Sequence, residues 1–320
     1  MGITFLDIEK TEYPERTMAN GIIFDIKRFA VHDGPGVRTT VFFKGCPLHC
    51  LWCHNPEGIA SGLDLLVRSS RCSRCYSCIP ACPRKAITKG PQNGPVVVDR
   101  AKCDLCGKCA EACMYEALVM AGRTVSVAEV VAEVERDRIF YEQSSGGVTL
   151  SGGEPLAQPD FCRELLTELQ ARGFHTALDT SGLASWDILA SCAEKSDLIL
   201  YDLKMIDDRK HRETTGVSNA AILVNLKKLA ALKKPIAVRI PLMAGVNDGP
   251  ADIRAAIEFL KPLPAVKTVG LLRYHKGGQE KYRYLGQESC FQIFDSPSDE
   301  RVGEIRQAFA AAGYNVRIGG

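Results

Sequence analysis

"KGCPLHCLWCHNPEG", residues 44–58, packs Cys46, Cys50 and Cys53 into eight positions with the spacing C-x3-C-x2-C. Iron–sulfur and zinc sites ordinarily take four protein ligands. Either a fourth comes from elsewhere in the chain, or one coordination position stays open, as catalysis at a metal requires. His49 and His54 lie beside the triad. Ring nitrogens that close to the ligating thiolates seldom reach the group those thiolates hold, so an open position is the expectation.

The other cysteines sharpen this. Fourteen occur in 320 residues, and eleven fall in three tight clusters between residues 46 and 113. Clusters of this kind read as metal ligands rather than disulfides. "CSRCYSCIPAC" (72–82) and "CDLCGKCAEAC" (103–113) each carry C-x2-C-x2-C-x3-C, followed by Pro83 and Met114. Two-cluster bacterial ferredoxins have this spacing, and there the fourth cysteine of each run ligates the other cluster. One 4Fe–4S cluster is then expected on Cys72, Cys75, Cys78 and Cys113. The second is expected on Cys103, Cys106, Cys109 and Cys82. Zinc is the alternative, but zinc ribbons pair two C-x2-C knuckles instead of stringing four cysteines in a row. Ala86-Ile87 and Ala117-Leu118 follow the two runs at matching positions, a weak internal repeat. Cys162, Cys192 and Cys290 stand singly in apolar surroundings and are expected as small core residues. No clustered cysteine is left to complete the first triad.

Composition sets the wider frame. Apolar residues make up 46% and charged residues 24%, the proportions of a folded globular chain. A net charge of +2 gives no sign of a nucleic-acid or membrane partner. No apolar run approaches the ~20 residues that span a bilayer. The N-terminal stretch carries acidic residues and no continuous apolar run, unlike a secretory signal. Leu6 stands where myristoylation needs serine or threonine. A cytoplasmic protein is the expectation.

Outside the ferredoxin-like runs, strand and helix patterns alternate. Strands are read in "VRTTVFFKG" (37–45), "GVTLSGGEP" (147–155), "HTALDTSG" (175–182), "DLILYDLK" (197–204), "PIAVRIPL" (235–242) and "KTVGLLRYH" (267–275), with "YNVRI" (314–318) as a last candidate. "VSVAEVVAEVERDRIFYE" (125–142) is read as one helix, with Val127, Val130, Val131 and Val134 on one face. Further helices are read over 160–173, 185–194, 220–232 and 251–260. Strands alternating with helices imply right-handed crossovers and a parallel sheet. Six such units suit an α/β partial parallel (β/α)6 barrel, although a doubly wound open sheet also fits. The expected division is a tail (1–20), a partial barrel (21–68 and 119–320) and a small two-cluster insert (69–118). Cys46, Gly152–Glu154, Asp179–Gly182, Asp202–Lys204, Arg239 and His275 all fall at C-terminal strand ends, the edge where parallel barrels build active sites. Arg239, a cation in an apolar strand, requires an anionic partner or a route to solvent.

C-x3-C-x2-C with Trp52 before its last cysteine resembles the radical S-adenosylmethionine (SAM) superfamily. The longer string "HDGPGVRTTVFFKGCPLHCLWCHNPEG" (32–58) resembles the activating enzymes of glycyl-radical enzymes, and the ferredoxin-like runs place the chain near their lyase and decarboxylase subgroup. The resemblance spans about residues 20–318. It implies a 4Fe–4S cluster on Cys46, Cys50 and Cys53, with SAM on the open iron. It also implies reductive cleavage of SAM, and a glycyl radical set on the C-terminal glycine loop of a partner enzyme. The implied SAM contacts are Trp52, Cys53, His54, Gly152, Gly153, Glu154, Asp202, Leu203, Lys204, Arg239 and His275. Lys204 would meet the SAM carboxylate and His275 the methionyl group. Asp179, Thr180 and Asp202 would offer oxygens to a monovalent cation. Flavodoxin or ferredoxin is the implied reductant, acting on a monomer under anaerobic conditions. Two other readings are a radical SAM enzyme acting on a small molecule and a ferredoxin-type electron carrier. The carrier would leave the first triad idle.

Overall fold

The computed structural model describes residues 19–319. The tail expected over residues 1–20 therefore lies almost wholly outside the described residues. Thirteen strands occur among them: β1 (Asn20–Ala30), β2 (Arg38–Phe43), β3 (Asp64–Val67), β4 (Ile87–Gly90), β5 (Gly94–Val98), β6 (Leu118–Ala121), β7 (Arg123–Ser126), β8 (Gly147–Gly152), β9 (Thr176–Thr180), β10 (Leu198–Asp202), β11 (Ile236–Leu242), β12 (Val266–Arg273) and β13 (Asn315–Ile318). Nine form one sheet in the order β13-β12-β11-β10-β9-β8-β2-β1-β7. From β2 through β13 every ladder is parallel, whereas β1 runs antiparallel to both β2 and β7. The main sheet is thus mostly parallel, as the alternating pattern requires.

The seven strands read from the sequence are all present. β1 was not expected. Its "NGIIFDIKRFA" buries Ile23 and Ala30 but leaves Lys27, Arg28 and Phe29 exposed, so it lacks the apolar run of a strand covered on both faces. The helix read over 125–142 is a correction: β7 takes its start, and two helices follow, Val127–Glu135 and Arg138–Ser144. Asp137 separates them at φ −105° and ψ 7°. Its buried carboxylate accepts from Arg28 Nε at 2.7 Å and Thr39 Oγ1 at 3.1 Å, fixing the turn to β1 and β2. Val127, Val130, Val131 and Val134 are buried as expected, behind a capping box of Ser126 and Glu129. Helices Asp208–Thr215, Gln279–Leu285 and Asp299–Ala311 were not read from the sequence.

One large apolar cluster fills the space between the main sheet and its helices, taking Leu150, Leu178, Ile199, Val238 and Leu271 from the strands and Leu165, Leu226 and Ile305 from the helices. Cys162 and Cys192 belong to it, as expected of core thiols, but Cys290 is exposed. Two small antiparallel pairs, β3–β6 and β4–β5, stand apart from the main sheet. Leu65, Ile87, Val96 and Leu118 give this region its own core, packed together with its cysteines. No helix among the described residues is long and apolar enough to cross a membrane.

Candidate active site

The loop after β2 is tied down through its backbone. Gly45 N donates to Gly58 O at 2.8 Å and Cys46 N to Ile59 O at 2.9 Å. His49 N and Leu51 N donate to the carbonyls of Thr215 and Thr214, at the end of helix Asp208–Thr215. Trp52 packs with Met205, Met243 and Tyr274. Lys44, fully buried, donates to Glu57 O at 2.7 Å and pairs with Asp64 at 2.8 Å. Lys281 reaches Asn55 and Glu57 from helix Gln279–Leu285. The three cysteines thus sit on a fixed frame.

They face a cavity of about 250 Å³. Besides Cys46, Cys50 and Cys53, its walls include Trp52, His54, Gly152, Gly153, Asp179, Thr180, Asp202, Lys204 and Arg239, all expected from the sequence. Burial pushes all three thiols up, Cys53 to about 12 with Cys50 beside it. Burial here favours the protonated thiols over bare thiolates.

At the strand ends opposite, two carboxylates and two cations interlock. Asp202 and Arg239 are paired across the β10–β11 ladder. The guanidinium bridges Asp179 and Asp202, donating Nε to Asp202 at 3.0 Å. Lys204 pairs with Asp202 at 3.1 Å, and Ser151 Oγ donates to Asp179 at 2.6 Å. Burial pushes Asp179 up to about 6 against the pull of Arg239. Burial also pushes Asp202 up, but Arg239 and Lys204 together outweigh it and hold it below the usual range. One cation serves Asp179 and two serve Asp202, which accounts for the opposite directions. Burial lowers Arg239 and Lys204, and the carboxylates more than reverse this.

Three expectations need correction. The positive charge between Asp179 and Asp202 is Arg239, so the oxygens assigned to a monovalent cation are already engaged; Thr180 Oγ1 donates to Glu154 at 2.7 Å. Glu154 does not line the cavity. It is buried and accepts from Thr180 Oγ1, Ser181 N (2.9 Å), Ser181 Oγ (2.6 Å) and Leu156 N (3.2 Å), bracing β8 to β9. Leu203 and His275 also lie off the cavity: Leu203 is in the core, and exposed His275 stacks on His54 with ring centroids 3.8 Å apart. His54 Nε2 lies 2.8 Å from His275 O and must donate, leaving Nδ1 without a proton. Burial and His275 both lower the His54 pKa. Tyr274, the neighbour of His275, lines the cavity instead, and its buried hydroxyl has no partner among the described residues.

Gly152 and Gly153 line the cavity, but packing is what demands them. Gly152 has φ +114°, and a Cβ there would meet Phe43 N at 2.3 Å. A Cβ on Gly153 would meet Gly58 O at 2.4 Å and Gly45 O at 2.5 Å. Only glycine lets β8 close on the cysteine loop. The Glu154 brace gives a stability prediction. Glu154→Ala strands buried donors from Thr180 and Ser181, so it is expected to cost about 3 kcal/mol, read from urea unfolding. A cost under about 0.5 kcal/mol would remove the brace from this account.

The remaining eight cysteines gather in two hollows. One is lined by Cys72, Cys75, Cys78 and Cys113, the other by Cys82, Cys103, Cys106 and Cys109. Left-handed backbone at Arg74, Tyr76 and Lys85 is matched by Leu105, Gly107 and Glu116, each pair 31 residues apart.

The family model for the radical SAM superfamily matches residues 40–260. The chain is 46% identical over 304 residues to the trans-4-hydroxy-L-proline dehydratase activating enzyme of Clostridioides difficile, covering 94% of this chain and 100% of the relative. It is 44% identical over 306 residues to the isethionate sulfite-lyase activating enzyme of Oleidesulfovibrio alaskensis, covering 93% and 97%. To the benzylsuccinate synthase activating enzyme of Thauera aromatica it is 41% identical over 306 residues, covering 93% and 92%. Loop, cavity and kinship converge: the chain belongs to the radical SAM superfamily and, within it, to the activating enzymes of glycyl-radical enzymes.

Proposed function

We propose that Cys46, Cys50 and Cys53 hold the 4Fe–4S cluster with one iron left open, and that SAM fills the cavity beside it. The observation that carries this is the donor set: three half-buried thiols, with no fourth cysteine on the cavity wall, opposite a charged cluster. As in its family, the protein cleaves SAM reductively and uses the 5′-deoxyadenosyl radical to set a glycyl radical on a partner enzyme; the cluster supplies the electron.

The residues of the chain bind and orient. Asp179 and Asp202 suit the ammonium of the methionyl end, while Lys204 and Arg239 suit its carboxylate. Four charges that already neutralise one another can re-pair around a zwitterion without leaving a buried charge alone. Arg239 takes the place expected of a monovalent cation. Trp52, Met243 and Tyr274 give the cavity an apolar side for the adenosyl half and help keep solvent away from the reacting atoms. The Tyr274 hydroxyl and His54 Nδ1 remain to orient that half.

The finer architecture follows. Residues 69–118 form a ferredoxin-like insert with two 4Fe–4S clusters, on Cys72, Cys75, Cys78 and Cys113 and on Cys82, Cys103, Cys106 and Cys109. The two four-cysteine hollows and the 31-residue repeat of left-handed positions support this. The main sheet curls as a partial barrel. Strands from β2 to β12, laid flat, would span about 24 Å, too far for residues at all their ends to share one cavity.

Relatives named for three different partners stand at 46%, 44% and 41% identity, so kinship alone selects none of them. A glycyl-radical lyase, decarboxylase or dehydratase is the partner class. The test is anaerobic: reconstituted protein with dithionite, SAM and each candidate partner, followed by EPR. A glycyl doublet on one partner, with 5′-deoxyadenosine formed in step, is the expected result. Deoxyadenosine without a doublet on any partner would favour a small-molecule substrate.

A further inference from the structure

Charge is unevenly divided in this chain. Residues 64–121 carry nine Lys and Arg against five Asp and Glu, an excess of four positive charges, while the remainder is net negative by two. The two cysteine hollows in this basic part are not equivalent. The β3–β6 ladder pairs Asp64 with Ala121 at one end and Val67 with Leu118 at the other. Asp64 holds Lys44, two residues before Cys46. The hollow of Cys82, Cys103, Cys106 and Cys109 takes Leu65 and Met120 from this ladder. That of Cys72, Cys75, Cys78 and Cys113 takes Leu118 from the ladder, with Ala117 before it, at the end away from Lys44.

The outer hollow has the more apolar exposed face. Each hollow has one exposed cysteine, Cys75 and Cys106, but here Tyr115, which lines the hollow, is 54% exposed and Met114, between Cys113 and Tyr115, is 93% exposed. Arg71, Arg74 and Lys89 are exposed around it; Arg71 pairs with Glu116, and Lys89 lies over the Tyr76 ring. An exposed apolar centre with a basic rim, beside an exposed thiol of the hollow, suits a small transient contact that is steered by charge. We propose that this face docks a small acidic electron-carrier protein. One electron leaves the carrier's reduced flavin or iron–sulfur group and enters the group held by Cys72, Cys75, Cys78 and Cys113; no bond is made or broken. The inference rests on the two-cluster insert proposed above.

The test mixes reconstituted protein with a reduced acidic ferredoxin or a reduced acidic flavodoxin. Cluster reduction is followed by rapid-freeze EPR, with dithionite as a reductant that needs no docking. Combined Arg71→Glu and Arg74→Glu is expected to slow carrier-driven reduction about tenfold or more at low salt, and to leave reduction by dithionite unchanged. Salt should slow the wild type toward the same value. Lys102→Glu with Lys108→Glu, on the inner hollow's side, should stay within about twofold of wild type. Slowing with one carrier only supports the face and identifies that carrier class as its partner. Equal carrier-driven rates in wild type and the arginine variant, or a wild-type rate indifferent to salt, would overturn the docking face. Iron near four per chain instead of about twelve would overturn the two-cluster insert itself.

Discussion

Cys50→Ala is expected to abolish SAM cleavage while removing only about a third of the iron. The three cubanes proposed above would give about twelve irons per chain, and losing the one at the first triad would leave about eight. The frame of the loop should survive, because its ties are backbone bonds: Cys46 N to Ile59 O, Leu51 N to Thr214 O and Cys53 N to Cys50 O. None of these needs the thiol. Two thiolates cannot hold a cubane whose open iron must also bind SAM, so deoxyadenosine formation should fall about a thousandfold or more. Iron analysis and chromatography of the products, run on one preparation, check both halves. Persistent cleavage would move the chemistry away from the first triad. Loss of nearly all iron would mean that the insert depends on this loop, against the separate core that Leu65, Ile87, Val96 and Leu118 provide.

How far this was legible in the sequence depended on whether a residue's partners were local. Each ferredoxin-like run is local, and the two-cluster pattern it belongs to groups Cys113 with Cys72, Cys75 and Cys78, the same four that line one hollow. The parallel strands were legible because strands covered on both faces are continuous apolar runs. Glu154 was placed at the right edge, where it could anchor its loop or meet the ligand's ammonium; the structure shows the anchor, with partners Thr180 and Ser181 from the next strand that neither segment's register discloses. Arg239 was recognised as a buried cation in need of an anion. The same rule applies to Lys44, buried and bound to Asp64, and to Arg38, buried and bound to Thr149, yet neither was singled out. Lys44 ends a strand and reads as its polar boundary; only its burial shows otherwise. Tyr274 was passed over for His275 because a histidine draws the eye as a ligand, whereas which of two adjacent residues faces the cavity is a matter of strand phase.

Arg239→Met should produce the largest loss of stability, with a definite dependence on pH. It removes the cation shared by Asp179 and Asp202 and leaves a chain of similar length without charge. Breaking a buried pair from one side costs about 3–5 kcal/mol, because the remaining charge stays buried. Asp179 already stands up at about 6 with Arg239 present, and it must rise further without it. Asp202 keeps only Lys204 and rises from below its usual range. A carboxylate whose folded pKa exceeds its unfolded value costs stability while ionised, and the cost is relieved as pH falls through the folded pKa. The variant's deficit should therefore be greatest near pH 8 and shrink toward pH 6. The wild type behaves differently at Asp202: its depressed pKa contributes stability above the unfolded value of 3.8, lost only on acidification well below this window. Anaerobic urea unfolding of the two holoproteins at pH 8 and pH 6 tests the sign. Arg239→Lys, which restores charge without the planar fork, should recover part of the loss. A deficit that stays constant or grows toward pH 6 would mean that the carboxylates are not the groups left uncompensated, and the re-pairing of this cluster around SAM would lose its basis.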